Sequence, residues 1–172
     1  MVPSSSLTDI RSHAAQKFHS LHLRAVAHSW LAKVLLQNNM LKSFVSSGAS
    51  GLQAKRLKGI HCVPVSKIVG SVHRSDEFDK EFRPLKMHLR DQWVSAVLRL
   101  KTDGWQPIRV HKVGDSYFVK DGHHQISVAK SLGILFIDAE VWDHSPSRSL
   151  HDSCTPTHEP MRKCAEAYPT NS

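Results

Sequence analysis

The run Tyr117-Phe118-Val119-Lys120-Asp121-Gly122-His123-His124-Gln125-Ile126-Ser127-Val128-Ala129-Lys130-Ser131-Leu132-Gly133 constrains this chain more than any other stretch. It reads as a strand that enters a tight glycine turn and passes at once into a short helix. A helix that opens on Gly-His-His leaves backbone N–H groups without intrahelical partners beside polar side chains, which makes a seat for an anion. Gly122 is the pivot. The turn needs a residue tolerant of unusual φ/ψ, and bulk there would keep a phosphate at a distance.

The flanking pattern extends this unit into an α+β domain. Pro107 to Val113 reads as a strand, Gly114-Asp115 as a hairpin turn, and Ser116 to Lys120 as the returning strand. Gly133 stops the helix, and Ile134 to Trp142 supplies a last strand. Upstream, Ile60 to Val69 is β-like, with Pro64 marking an edge or an end, and Gly70-Ser71 turns the chain. Pro84 suits the start of a helix whose inner face carries Leu85, Leu89, Trp93, Val97 and Leu100, with Arg90, Arg99 and Lys101 facing away. Gly104 ends it.

Before this domain lies a helical arm over residues 1–46. Thr8 is its N-cap, and Ile10, Ala14, Phe18, Leu21, Ala25, His28, Leu31, Val34 and Leu35 recur near helical spacing, as one helix or two. Ser46 to Gly51 reads as a small-residue linker, and Gln53 to Lys58 as one further basic helical turn. The domain proper is expected over 60–144. Residues 145–172, rich in Ser, Pro, Thr and His, are expected to be a disordered tail.

Composition narrows the function classes. The longest apolar run, Trp30 to Leu36, is broken by Lys33 and is far short of the roughly 20 residues a membrane span needs. No secretory pattern opens the chain. Three cysteines, Cys62, Cys154 and Cys164, without CxxC spacing argue against a disulfide framework and a zinc knuckle, and a reducing cytoplasm is the expected location. A formal net charge of +8 favours nucleic acid or anionic ligands as partners, although the basic residues are spread out and only Lys55 to Lys58 is a tight group.

Four pieces together carry a resemblance. They are Val63-Pro64-Val65-Ser66-Lys67-Ile68, Gly104-Trp105-Gln106-Pro107-Ile108-Arg109-Val110, Asp121-Gly122-His123-His124-Gln125-Ile126-Ser127-Val128-Ala129, and Ile137-Asp138-Ala139-Glu140-Val141. In order and spacing, over roughly half the chain, this resembles the ParB/sulfiredoxin superfamily, and most closely bacterial ParB-like proteins with an Asp-Gly-His-His-Arg turn. The resemblance implies a nucleotide phosphate held where the helix begins. Members bind and hydrolyse CTP while gripping DNA, use ATP to repair an over-oxidised cysteine, phosphorylate free serine, or are described as nucleases.

Carried onto this chain, the resemblance makes Arg74, Gly122, His123, His124 and Gln125 the ligand-binding set, with His123 nearer the ligand and His124 more structural. Asp121 and Glu77 are the candidate catalytic carboxylates, and Asp76, Asp79 and Glu81 share their loop. The cofactor would be a nucleoside triphosphate, ATP or CTP, with Mg²⁺. Adjacent histidines on a helix diverge, so no metal site is expected.

Two departures matter. Gln125 stands where the family usually has an arginine that grips phosphate in a bidentate fork. His123 stands where sulfiredoxin has its reactive cysteine, so that chemistry is not expected. The readings left open are a nucleotide-binding module acting with DNA, a small phosphotransferase, hydrolase or nuclease, and a non-catalytic interaction protein using the helical arm. No helix-turn-helix follows the core. A homodimer is open in all three readings.

Overall fold

The structure is a computed structural model and describes residues 4–37, 39–44 and 56–144. The expected linker, the tail, Cys154 and Cys164 lie outside the described residues. The elements run α1 (Ser4–Val34), β1 (Lys42–Ser43), β2 (Arg56–Pro64), β3 (Ile68–Ser71), α2 (Arg90–Thr102), β4 (Ile108–Val113), β5 (Ser116–Asp121), α3 (His123–Leu132) and β6 (Phe136–Asp143). Short 3-10 turns at Val65–Lys67 and Met87–Leu89 complete them. The class is α+β.

One mixed sheet of six strands has the order β1-β3-β5-β4-β6-β2. The β4–β5 hairpin turns at Gly114, whose φ of 58° explains the glycine. β6 returns parallel to β4, and β2 pairs antiparallel along nearly all of β6. The sheet draws in residues 42–43 and 56–59, on the N-terminal side of the boundary read at residue 60.

Several local readings are corrected. The stretch 60–69 is two strands, because Pro64 ends β2 and a 3-10 corner at Val65–Lys67 reorients the chain. Gly70-Ser71 is strand, not turn. A Cβ on Gly70 would run into the Lys42 carbonyl and the Phe118 ring, so glycine is needed for β1 to lie alongside. Arg56 to Lys58 belong to β2 rather than to a helical turn. Cys62, in β2, is disulfide-bonded, although the cysteine count and spacing argue against a disulfide framework.

α2 begins at Arg90 and not at Pro84, because residues 76–85 are tied into a separate loop. Its organiser is Asp79, whose side chain is fully buried. Oδ1 accepts the N–H of Glu81 at 3.0 Å and of Arg83 at 2.8 Å, while Oδ2 pairs with Arg83 Nε at 2.8 Å. Backbone bonds from Asp79 N to Arg83 O and from Lys80 N to Asn39 O fasten the loop to the chain leaving α1.

The core lies between the sheet and the helices. Trp93, Phe18, Phe78, Phe82, Ile68, Leu89, Ile108 and Ile126 are its largest fully buried side chains. Phe18 of α1 meets Trp93 of α2 edge to face, 5.9 Å between ring centres. Trp93 Nε1 donates to Ser127 Oγ at 3.0 Å, so α2 and α3 are joined by a buried polar contact that fixes their register. α1 is one helix. Its inner face is Ala14, Phe18, Ala25 and Ala32, whereas Leu31, Val34 and Leu35 are exposed, so the stripe read in the sequence drifts off the core after Ala25.

Candidate anion-binding cleft

Gly122 is the N-cap of α3, with φ 100° and ψ 21°, the left-handed region that glycine enters at little cost. A Cβ there would strike Ile108 Cγ2 and crowd Gln125 Oε1. The glycine is thus required by packing whether or not a ligand approaches. No side chain caps the first turn of α3, which leaves its leading N–H groups directed at the space in front of the helix.

That space is a cleft of about 410 Å³ between the start of α3 and one face of α2. Asp121, Gly122, His123, His124 and Gln125 form one wall, Arg74 one end, and Asp91, Ser95, Arg99 and Trp105 much of the other. The structure therefore brings Arg74, Asp121, Gly122, His123, His124 and Gln125 together. Glu77 is not among the residues that line the cleft. It lies behind Arg74, 2.8 Å from Nε, close enough for an ion pair although Oε2 is not aligned for a hydrogen bond. Asp76 is engaged by Lys86 at 2.6 Å, which holds its carboxyl below the ordinary carboxylate range. Asp79 is consumed by its turn.

The histidines are set by their surroundings. Ser71 Oγ accepts the backbone N–H of His73 at 3.3 Å and of Arg74 at 2.9 Å, so its single hydrogen is left for His123 Nε2, 2.8 Å away. Nε2 is then the acceptor, and Nδ1 carries the proton of the neutral ring. Burial, then the Arg74 guanidinium and the neighbouring His124, push His123 down to about 4. His123 also stacks on Phe78, 6.0 Å between ring centres.

His124 is likewise pushed down to about 4, by burial first and then by Arg74 and His88. Both of its ring nitrogens are buried without a hydrogen-bond partner, and its ring meets Phe78 edge-on at 5.7 Å. A neutral imidazole held this way has an unmet donor and an unmet acceptor, each costing about 1–3 kcal/mol.

Gln125 donates from Nε2 to the Gln106 carbonyl at 3.0 Å, which ties the first turn of α3 to the entry of β4. The side chain that replaces the expected arginine is thus occupied locally. Arg99, read from the sequence as facing away, lines the cleft. Arg99, Asp91 and Trp105 were missed because their orientation depends on how α2 docks on α3, which the period of α2 does not reveal. Among the described residues no group of three or more His, Cys, Asp or Glu side chains could hold a metal ion, and no helix is long and apolar enough to cross a membrane.

No family model matches the chain, and no curated protein matches it. Among solved structures, sulfiredoxin from Arabidopsis thaliana is similar at 23% identity and a TM-score of 0.33, over 48% of this chain and 82% of that one.

Proposed function

We propose that this chain is a ParB/sulfiredoxin-like domain whose cleft at the start of α3 binds the phosphate groups of a nucleotide. The observation that carries the reading is His124. Two ring nitrogens buried without partners beside an uncapped helix start are a cost, and a turn of the ring toward the cleft that His124 lines would let a ligand relieve it. His123 adds a donor of fixed identity, because Ser71 occupies Nε2 and leaves the proton on Nδ1.

Positive charge would come from Arg74 and Arg99 rather than from position 125. Two guanidiniums at one cleft suit the planar, bidentate recognition of phosphate oxygens. Glu77 then acts on Arg74, holding it at the mouth. A cleft of about 410 Å³ falls within the size range of small-ligand sites.

The residues fit a magnesium–nucleotide better than a bare anion. Asp121 and Asp91 line the same cleft as the two arginines, and their negative charge opposes an uncompensated phosphate. They would face the metal of a bound complex, which supplies charge neutralisation of the phosphates. Asp121 is also the carboxylate placed to take a proton if the site performs phosphoryl transfer.

Thermal-shift titration with ATP, ADP and CTP, each with Mg²⁺, and with inorganic triphosphate tests this. A ligand at a hundred times its Kd stabilises by about 2.7 kcal/mol, a rise of several degrees. Arg99→Ala is expected to reduce the rise for every phosphate ligand. No rise with any of them refutes the site. A rise with duplex DNA alone, lost as salt increases, would replace the nucleotide with a nucleic acid.

A further inference from the structure

α1 has two apolar faces, and among the described residues only one is packed against the core. At about 100° per residue, Ala14, Phe18, Ala25 and Ala32 fall on the side packed against the core. Leu23, Val26, Trp30 and Val34 fall within about 80° of one another on the opposite side. They are 56%, 45%, 69% and 60% exposed, and Leu31 and Leu35 extend the patch. The steps of three, four and four residues are those of a helix-packing seam. A patch of this kind on a polar surface marks an interaction site.

The character of the partner follows from charge and shape. Between Ile10 and Gln37 there is no acidic residue, while Arg11, Lys17, Arg24 and Lys33 are basic. Pairing this face with a second copy would lay cationic flanks on cationic flanks in either direction, which is unfavourable. Beside Trp30 the surface is concave. A groove of about 300 Å³ is lined by Val26, Ser29, Trp30, Lys33, Leu85 and Lys86, so side chains can insert between α1 and the loop before α2. A membrane surface offers no knob to fill such a groove.

We propose that this face of α1 docks an acidic amphipathic helix from a partner protein. Its apolar stripe lies on Leu23, Val26, Trp30 and Val34, one large side chain enters the groove beside Trp30, and its carboxylates meet Arg24 and Lys33. The groove beside Trp30 and the cleft at the start of α3 share no lining residue, so the interaction does not draw on the cleft.

The test uses the full chain and a fluorescently labelled helical peptide of about 20 residues, with leucine at the seam positions and glutamate on both flanks. A twin peptide carries lysine in place of glutamate. The glutamate peptide is expected to bind with a Kd at least about tenfold below that of its twin, with affinity falling as salt rises. Trp30→Glu is expected to weaken binding more than about tenfold, with the circular dichroism spectrum unchanged. If that variant does not fold, Val34→Glu serves, since Val34 is also exposed. The proposal is overturned if the glutamate peptide does not bind, if the two peptides bind equally, or if neither variant weakens binding. It is also overturned if the protein sediments as a dimer that Trp30→Glu splits, or if it binds phosphatidylglycerol vesicles but not the peptide.

Discussion

Two polar clusters adjoin Phe78, one packed on its ring and one starting at the next residue, and they are bonded to opposite degrees. Phe78 stacks on His123, meets His124 edge-on, and is followed directly by Asp79. Around Asp79 the bonding is complete: both carboxylate oxygens are used, by two backbone N–H groups and the Arg83 guanidinium. At the start of α3 it is incomplete. The first turn has no side-chain cap and both nitrogens of His124 are unmet. A closed cluster contributes stability and has nothing left to offer a ligand. An open one costs stability and is suited to binding. The acidic loop and the histidine turn look alike in sequence as candidate chemistry, and the hydrogen-bond inventory separates them.

The largest effect expected is at the closed cluster. Asp79→Ala strands two N–H groups and a guanidinium that is only 18% exposed. Breaking a buried pair from one side costs about 3–5 kcal/mol, to be read as a lower urea midpoint. Asp79→Asn, which keeps an acceptor at Oδ1, is expected to lose less. If Asp79→Ala unfolds at the wild-type midpoint, the loop is not organised as described and its carboxylate returns to the list of catalytic candidates.

The second effect is acid sensitivity at the open cluster. In the folded chain His123 titrates at about 4, against an ordinary 6.5. Between those values the unfolded state binds the proton and the folded state does not, so unfolding is favoured as pH falls. Stability is expected to be full above about 6.5 and to decline towards pH 4, by about 3 kcal/mol from His123 alone. Melting temperature between pH 7.5 and 4.5 reads this, and His123→Gln is expected to flatten the slope. An equally steep slope in that variant would place the acid sensitivity elsewhere.

What the sequence revealed depended on whether a local rule was enough. The turn at Gly122 and the stop at Gly133 are legible because a positive φ selects glycine within one or two residues. The β4–β5 hairpin follows from Gly114 and alternation, and Pro64 marks where β2 ends. The role of Asp79 was hidden, because an acid in a charged loop looks solvated until its bonds to residues two and four positions on are seen. The cleft wall from α2 was hidden for a different reason. Arg99 and Asp91 face the cleft because of how α2 packs on α3, a packing that includes the contact of Trp93 with Ser127, 34 residues apart in sequence. Periodicity located α1 but did not show which of its two apolar faces turns inward, since both repeat with the same period.

The smallest effect has the most informative sign. Most substitutions at a buried site destabilise, but His124→Leu removes two unmet polar atoms and keeps an apolar body against Phe78. Leaving a polar group unmet costs about 1–3 kcal/mol, so the variant is expected to be as stable as the wild type or to gain about 1 kcal/mol. Its response to ATP, CTP or triphosphate should fall at the same time. Stability retained with binding lost is the pattern of a residue kept for a ligand, because a structural histidine would lose both together. A drop of more than about 1 kcal/mol would mean that His124 is satisfied in solution, and the contrast with Asp79 would no longer mark this turn as the site.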